Sequence, residues 1–188
     1  MCLPALVAGA GCGPSSDAEA PPSAAVEEPS IYDLDITFTA ATGATTRIAD
    51  LAGRPVVAAM IYTSCSAVCP RITEDMKALE RLLPERERRR VRFVLFSLDP
   101  ESDTPEAMRG FAADHGLDPG TWTLLASSAE DVRMLAAGLG VRYRPEADGE
   151  IAHSATIFAI DSRGVMRHRE EGLGRDPAAL LAAIAKLE

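Results

Sequence analysis

Cys65 and Cys69 lie four positions apart in the run Tyr62-Thr63-Ser64-Cys65-Ser66-Ala67-Val68-Cys69-Pro70. Two thiols at that separation have two chemistries open to them. They close reversibly to a disulfide, or as thiolates they chelate a soft ion such as Cu(I) or Zn(II). The spacing admits both, and it also admits a structural disulfide or two buried apolar cysteines, since cysteine is among the most buried residue types. A Cys-rich junction followed by proline is nevertheless a recurrent redox and metal setting, which puts function ahead of packing here.

The elements on either side must position these sulfurs. Upstream, Pro55 to Tyr62 is continuously apolar and rich in strand formers, the pattern of a strand buried on both faces. Downstream, Ile72, Met76, Leu79 and Leu83 recur at helical spacing, and Pro70 suits the first helical position, where a missing N–H costs nothing. Both thiols are therefore expected at a strand-to-helix junction. Backbone N–H groups and the positive end of the helix dipole favour thiolate there.

At 188 residues the chain is long enough for one domain and a tail. A formal charge of −9 and a pI near 4.9 argue against nucleic acid as a partner. The one basic cluster, Arg86 to Arg92, is interleaved with Glu85 and Glu87 and reads as a solvated helix end. Residues 1–12 are short, apolar and rich in small residues, and end in Cys12. They resemble the tail of a truncated lipoprotein signal, in which that cysteine becomes the lipidated terminus. Residues 13–30, rich in Ala, Ser, Pro and acid, read as a flexible spacer. Residues 31–188 are expected to form the folded domain, and no other stretch approaches transmembrane length.

Within that domain Ile31 to Ile48 reads as a strand or hairpin and Val91 to Leu98 as a second buried strand. Asp103 or Thr104 is placed to cap a helix opening at Pro105 and running toward Gly116. Thr121 to Leu125 is a short strand, and Ser128 with Asp131 forms a capping box ahead of Val132, Leu135 and Leu139. Thr156 to Ile160 and Val165 to Arg169 flank a turn at Asp161-Ser162-Arg163-Gly164. A last helix spans about Pro177 to Leu187 with Asp176 as its cap. Strand, helix, strand, then an antiparallel hairpin and a final helix is the order of an α/β, thioredoxin-like domain with a central mixed sheet flanked by helices. The helices between Thr104 and Gly140 expand its middle connection.

Three histidines are available as a third donor. His115 sits near a helix end before Gly116, and His168 alternates with Arg167 and Arg169 on a strand as a solvent-facing residue. His153 opens the run His153-Ser154-Ala155-Thr156-Ile157-Phe158, entering a central strand after a polar loop, where it can face the end of the sheet that carries the thiols. A lone histidine can be structural or a ligand, and the residues alone leave that open. Asp99 reads as a turn residue before Pro100. Met60, Met76, Met108, Met134 and Met166 are too scattered to form a copper site and read as core packing.

Cys65-Ser66-Ala67-Val68-Cys69-Pro70, then Ser97-Leu98-Asp99-Pro100-Glu101-Ser102-Asp103-Thr104-Pro105, then His153-Ser154, taken as a set and in that order, resemble the Sco family of SenC/PrrC-type copper proteins. The resemblance covers nearly all of the chain after the spacer. It implies a thioredoxin-like fold facing outside the cytoplasm, membrane-anchored on the periplasmic face in a bacterium, with a copper site made by Cys65, Cys69 and His153. It also implies delivery of copper to the CuA-bearing subunit of a cytochrome c oxidase. Ser66 stands where the family commonly has Pro after the first cysteine, and Ala152 where Asp commonly precedes the histidine.

Two functions follow from these residues. A metallochaperone would hold Cu(I) on two thiolates, with the borderline imidazole also supporting Cu(II), and would exchange it with the oxidase or with another copper chaperone. A thiol-disulfide oxidoreductase would use Cys65 and Cys69 to reduce the cysteines of the oxidase copper site, with a thiol reductant as its own partner. Thiol peroxidase chemistry is the weaker option, because Thr63 precedes Cys65 by two positions where a Thr-x-x-Cys arrangement needs three.

Overall fold

The run Val56–Ile61 is buried at every position and forms strand β3, the centre of the molecule. Its composition explains its place: only a strand covered on both faces can bury six consecutive apolar residues. The computed structural model describes Met1 and residues 28–147 and 149–187. The readings of residues 2–27, with Cys2 and Cys12, lie outside the described residues, and the last residues of the expected 13–30 spacer are held to the fold, Glu28 by Arg167 (2.7 Å) and Ser30 by a bridge to Val165.

A single helical turn at Ile31–Asp33 precedes strands β1 (Thr37–Ala40) and β2 (Thr45–Arg47), so the early hairpin is shorter than the expected Ile31 to Ile48. After β3 come helices α1 (Val68–Leu82) and α2 (Glu85–Arg90), strand β4 (Arg92–Ser97), helix α3 (Pro105–Asp114) and strand β5 (Trp122–Ala126). Helix α4 (Ala129–Leu139) leads to strands β6 (Tyr143–Pro145), β7 (Ile151–His153), β8 (Thr156–Ile160) and β9 (Met166–Glu171), and helix α5 (Ala178–Ile184) follows.

Seven strands form one sheet in the order β2-β1-β5-β4-β3-β8-β9, while β6 and β7 pair only with each other. β3 runs parallel to β4 and antiparallel to β8, so the sheet is mixed. The α/β, thioredoxin-like arrangement is therefore present, with β5 added beside β4 by the crossover through α3. Phe93, Phe96 and Phe158 are fully buried in the core, beside Met60 and Met76.

Local chemistry sets the helix ends. The Thr104 hydroxyl accepts from the Ala107 N–H and Pro105 occupies the first turn of α3, while Ser128 accepts from the Asp131 N–H at the start of α4. α4 stops at Gly140, whose φ of 67° is a left-handed conformation that side chains disfavour. Asp176 does accept from the first N–H of α5, but the residue at the cap position is Pro177. The Arg-rich α2 has no buried residue, as a solvated segment should.

Two expectations change. α1 begins at Val68, so Pro70 is the third helical residue and Cys69 lies inside the helix. Proline is tolerated there for the reason given for the first position, since none of the first N–H groups of a helix has an intrahelical acceptor. His153 ends β7 of the small sheet and does not enter the central strand, which begins at Thr156.

Candidate metal centre

β3 ends at Ile61, and the chain turns through Tyr62–Cys65, where the Cys65 N–H donates to the Tyr62 carbonyl (3.3 Å). The turn aims the Cys65 sulfur at the start of α1, where it accepts from the Cys69 N–H at 3.4 Å. A sulfur thus does at this helix start what a Ser or Asp oxygen usually does. Cys69 in turn accepts from the Tyr62 N–H at 3.5 Å. Both thiols are free and buried, Cys65 at 6% exposure and Cys69 at 0%.

The two thiols differ electrostatically. Burial alone would raise the Cys65 pKa, but the N–H groups of Cys69 and Ala67, with the Cys69 thiol and the Tyr62 hydroxyl, outweigh it and hold Cys65 below the ordinary thiol value. Cys69 goes the other way. Burial pushes it up, and the Cys65 sulfur and the Asp103 carboxylate add to the rise against the Tyr62 N–H. The expectation that the junction favours thiolate therefore holds for Cys65 and fails for Cys69, which is deeper and faces negative neighbours.

His153 reaches this pair from the small sheet. Its Nε2 lies 3.5 Å from the Cys69 sulfur, and its Nδ1 lies 3.2 Å from the Ser154 carbonyl oxygen. A carbonyl only accepts, so Nδ1 carries the proton and Nε2 presents a lone pair to the Cys69 thiol. Burial lowers the His153 pKa, against the raising effect of the Ser154 carbonyl, and keeps the ring neutral.

A buried carboxylate that was read only as a helix cap braces the thiol loop. Asp103 Oδ1 accepts from the Thr63 N–H (2.9 Å) and hydroxyl (2.6 Å), and Oδ2 accepts from the Ser97 hydroxyl (2.5 Å). Burial raises its pKa despite the bonds from Ser97 and Thr63. Asp99 caps its own turn by accepting from the N–H groups of Glu101 and Ser102, which is the turn role expected of it. Only the neighbouring Ser97 and Asp103 positions in the motif that carried the family resemblance hinted at this brace; the contact to Thr63 spans 40 residues.

A second unforeseen group is Tyr62, whose hydroxyl donates to the Glu150 carboxylate and accepts from the Ile151 N–H (3.2 Å). A cavity of about 270 Å³ opens beside Cys65, lined by Tyr62, Cys65, Val68, Glu146, Glu150 and His153 among others. The remaining histidines stay away from it. His115 stacks on Phe111 (centroids 4.3 Å apart), and His168 is half-buried beside Glu170 and not fully solvent-facing as expected. Met60, Met76 and Met108 are core residues, Met134 and Met166 are at the surface, and none of the five lines the cavity.

The three predicted donors are thus brought together through Cys69, which touches both Cys65 and His153. Among the described residues no three His, Cys, Asp or Glu side chains are already gathered round one point as for a bound ion. The donor set itself, two sulfurs and a neutral imidazole nitrogen, suits a soft or borderline cation such as copper and no hard one.

The SCO1/SenC family model matches residues 25–187. A SCO1/SenC family lipoprotein from Bacillus anthracis str. Ames is 27% identical, with a TM-score of 0.73, over 82% of this chain and 96% of its own. ScoI from Arabidopsis thaliana with copper bound is 20% identical, with a TM-score of 0.70, over 80% of this chain and 94% of its own. BsSco, described as a member of the Sco family of cytochrome c oxidase assembly proteins with a disulfide switch, is 24% identical, with a TM-score of 0.71, over 85% of this chain and 94% of its own. With the family model spanning nearly all of the described fold, the chain belongs to the SCO1/SenC family.

Proposed function

We propose that this protein is a copper metallochaperone that carries its cargo on Cys65, Cys69 and His153 and passes it to the CuA-bearing subunit of a cytochrome c oxidase. The observation that carries the reading is the 3.5 Å approach of the lone-pair nitrogen of His153 to the Cys69 sulfur, with Cys65 against the same residue. The copper-bound relative and the oxidase-assembly relative support it.

The protonation pattern orders the loading. Cys65, the more acidic thiol, offers the first thiolate; Cys69 must lose its proton to bind, and His153 is already neutral. Loading therefore releases protons and weakens as pH falls. Cu(I) suits the sulfur pair, and Cu(II) draws more on the imidazole. Release needs only that one donor swing away, and a thiol of the partner then takes its place. Another copper chaperone is the expected source of the cargo. The site faces outside the cytoplasm in this reading, with Cys12 lipidated and the chain between it and Glu28 as the tether, in keeping with the lipoprotein relative. No helix among the described residues is long and apolar enough to cross a membrane.

The split between the thiols favours a second reading, a thiol-disulfide oxidoreductase. The Cys65 thiolate would attack a partner disulfide, releasing one partner thiolate and leaving a mixed disulfide. Cys69, after losing its proton, would attack the Cys65 sulfur, closing the Cys65–Cys69 bond and releasing the second partner thiol reduced. An external thiol reductant would restore the pair.

The test uses reduced protein with Cys2 and Cys12 replaced by Ser. It is expected to bind about one copper per chain. Cys69→Ser should weaken Cu(I) by more than the roughly 100-fold that loss of an outer-shell partner costs. His153→Ala should weaken Cu(II) more than Cu(I) and leave the Cys65–Cys69 disulfide able to form. In cells lacking the protein, full rescue of a copper-loaded oxidase by His153→Ala would overturn the three-donor delivery reading and favour the reductase.

A further inference from the structure

His153 depends on a support that is weak by itself. β6 and β7 are three residues each and pair only with one another, and an isolated two-stranded hairpin is marginal in water. Its flanks are tied by the Ser154 N–H to the Arg142 carbonyl (3.1 Å), a bond that closes the hairpin on itself. Something else must hold it over the thiols.

Tyr62 is placed to do so. Its backbone N–H donates to Cys69, and its hydroxyl crosses to the hairpin, donating to the Glu150 carboxylate and accepting from the Ile151 N–H, two residues before His153. Its ring meets the His153 imidazole edge-on, with centroids 6.0 Å apart and planes at 75°. One residue at the end of β3 therefore touches a thiol through its backbone and the imidazole's support through its side chain.

We propose that Tyr62 is a positioning residue: its hydroxyl, held between the Glu150 carboxylate and the Ile151 N–H, clasps the β6–β7 hairpin onto the end of β3 and so keeps His153 against Cys69. The copper consequence rests on the delivery reading above; the clasp itself does not. In this chain Glu150 also brings a carboxylate to the hairpin, where Ala152 provides none next to the histidine. The clasp is a hydrogen-bonded latch between two elements that share no sheet, so breaking it frees the third donor; the same hydroxyl also acts on Cys65, and a His153→Ala background separates the two effects.

The experiment uses the full reduced chain and two readouts. Amide hydrogen exchange in 151–153, measured without copper, should accelerate about tenfold in Tyr62→Phe, the factor carried by about 1.4 kcal/mol of net hydrogen bonding. Glu150→Ala should act in the same direction, while Glu150→Gln, which keeps an acceptor oxygen, should stay within about twofold of wild type. Cu(I) affinity should fall about tenfold in Tyr62→Phe, and by clearly less when the same change is made in a His153→Ala background, where only the effect of the hydroxyl on Cys65 is left. Unchanged exchange in both Tyr62→Phe and Glu150→Ala would overturn the clasp whatever copper does. An equal copper loss with and without His153 would show that Tyr62 acts through the thiols and would also overturn it. If wild-type protein bound no copper, the delivery reading would fall, and the exchange rates alone would uphold or overturn the clasp.

Discussion

The thiols and the imidazole are brought together around Cys69 from supports of opposite kind. Cys65 and Cys69 follow β3, which is registered residue for residue with β4 on one side and with β8 on the other, and whose side chains are at most 2% exposed. His153 ends a three-residue strand whose burial alternates between half-buried and exposed, in a sheet of two strands. The difference teaches how a site can be both preset and able to let go. Cys69 is fixed in the buried frame, whereas the hairpin is held by a few hydrogen bonds and by the half-buried Tyr143 and Ile151 side chains.

The strongest test of that contrast is stability. Phe158 on β8 is fully buried, and Phe158→Ala should cost about 3–5 kcal/mol in urea unfolding. Ile151→Ala on the hairpin, where the side chain is half-buried, should cost about 1 kcal/mol or less. Equal losses would place the hairpin in the same cooperative unit as the sheet and remove the distinction.

The same contrast decides what could be read from sequence. The β3 run and the α1 periodicity were legible because burial on two faces and on one stripe leave opposite patterns in the residues themselves. The start of α1 was misplaced by two residues because a cysteine sulfur, which no capping rule includes, accepts the Cys69 N–H. His153 was correctly aimed at the thiols but placed on the wrong strand, since three-residue strands are too short for period-two alternation to register. Asp103 and Tyr62 were missed in their real roles because their partners, Thr63 and Glu150, lie 40 and 88 residues away, and such contacts have no local signature. The opposite shifts of Cys65 and Cys69 depend on depth and on Asp103, which spacing alone does not reveal.

A smaller effect should come from loosening the rigid side until it resembles the mobile one. Asp103→Ala leaves the Thr63 N–H and the Thr63 and Ser97 hydroxyls without their carboxylate acceptor. The expected cost is about 1–3 kcal/mol of stability, with faster alkylation of Cys65 as the loop opens. The measurement is urea unfolding together with the rate of thiol labelling at fixed pH. Unchanged labelling would mean that the loop is held by its sulfur contacts and that the carboxylate is dispensable.

At neutral pH the smallest effects are the titrations, which grow only as pH moves away from it, one for each support. Cys69 has a folded pKa above its unfolded value, so its contribution to stability is fully present below about pH 8.5 and is lost as pH rises toward the folded value. Reduced wild-type protein should lose stability above that point relative to Cys69→Ala, by at most about 1.4 kcal/mol per pH unit, the shared tyrosine titrations cancelling. That loss is global, because Cys69 is part of the core. His153 is a base with a lowered folded pKa, so its contribution is present above about pH 6.5 and is lost as pH falls below it. Here the response should be local: the protection factors of the 151–153 amides, the intrinsic pH dependence of exchange divided out, fall on acidification while the unfolding midpoint of the sheet stays nearly constant, and His153→Ala abolishes that fall. If acid instead lowered the midpoint of the whole molecule through His153, the imidazole would belong to the rigid frame, and release of the cargo would have to begin at the thiols.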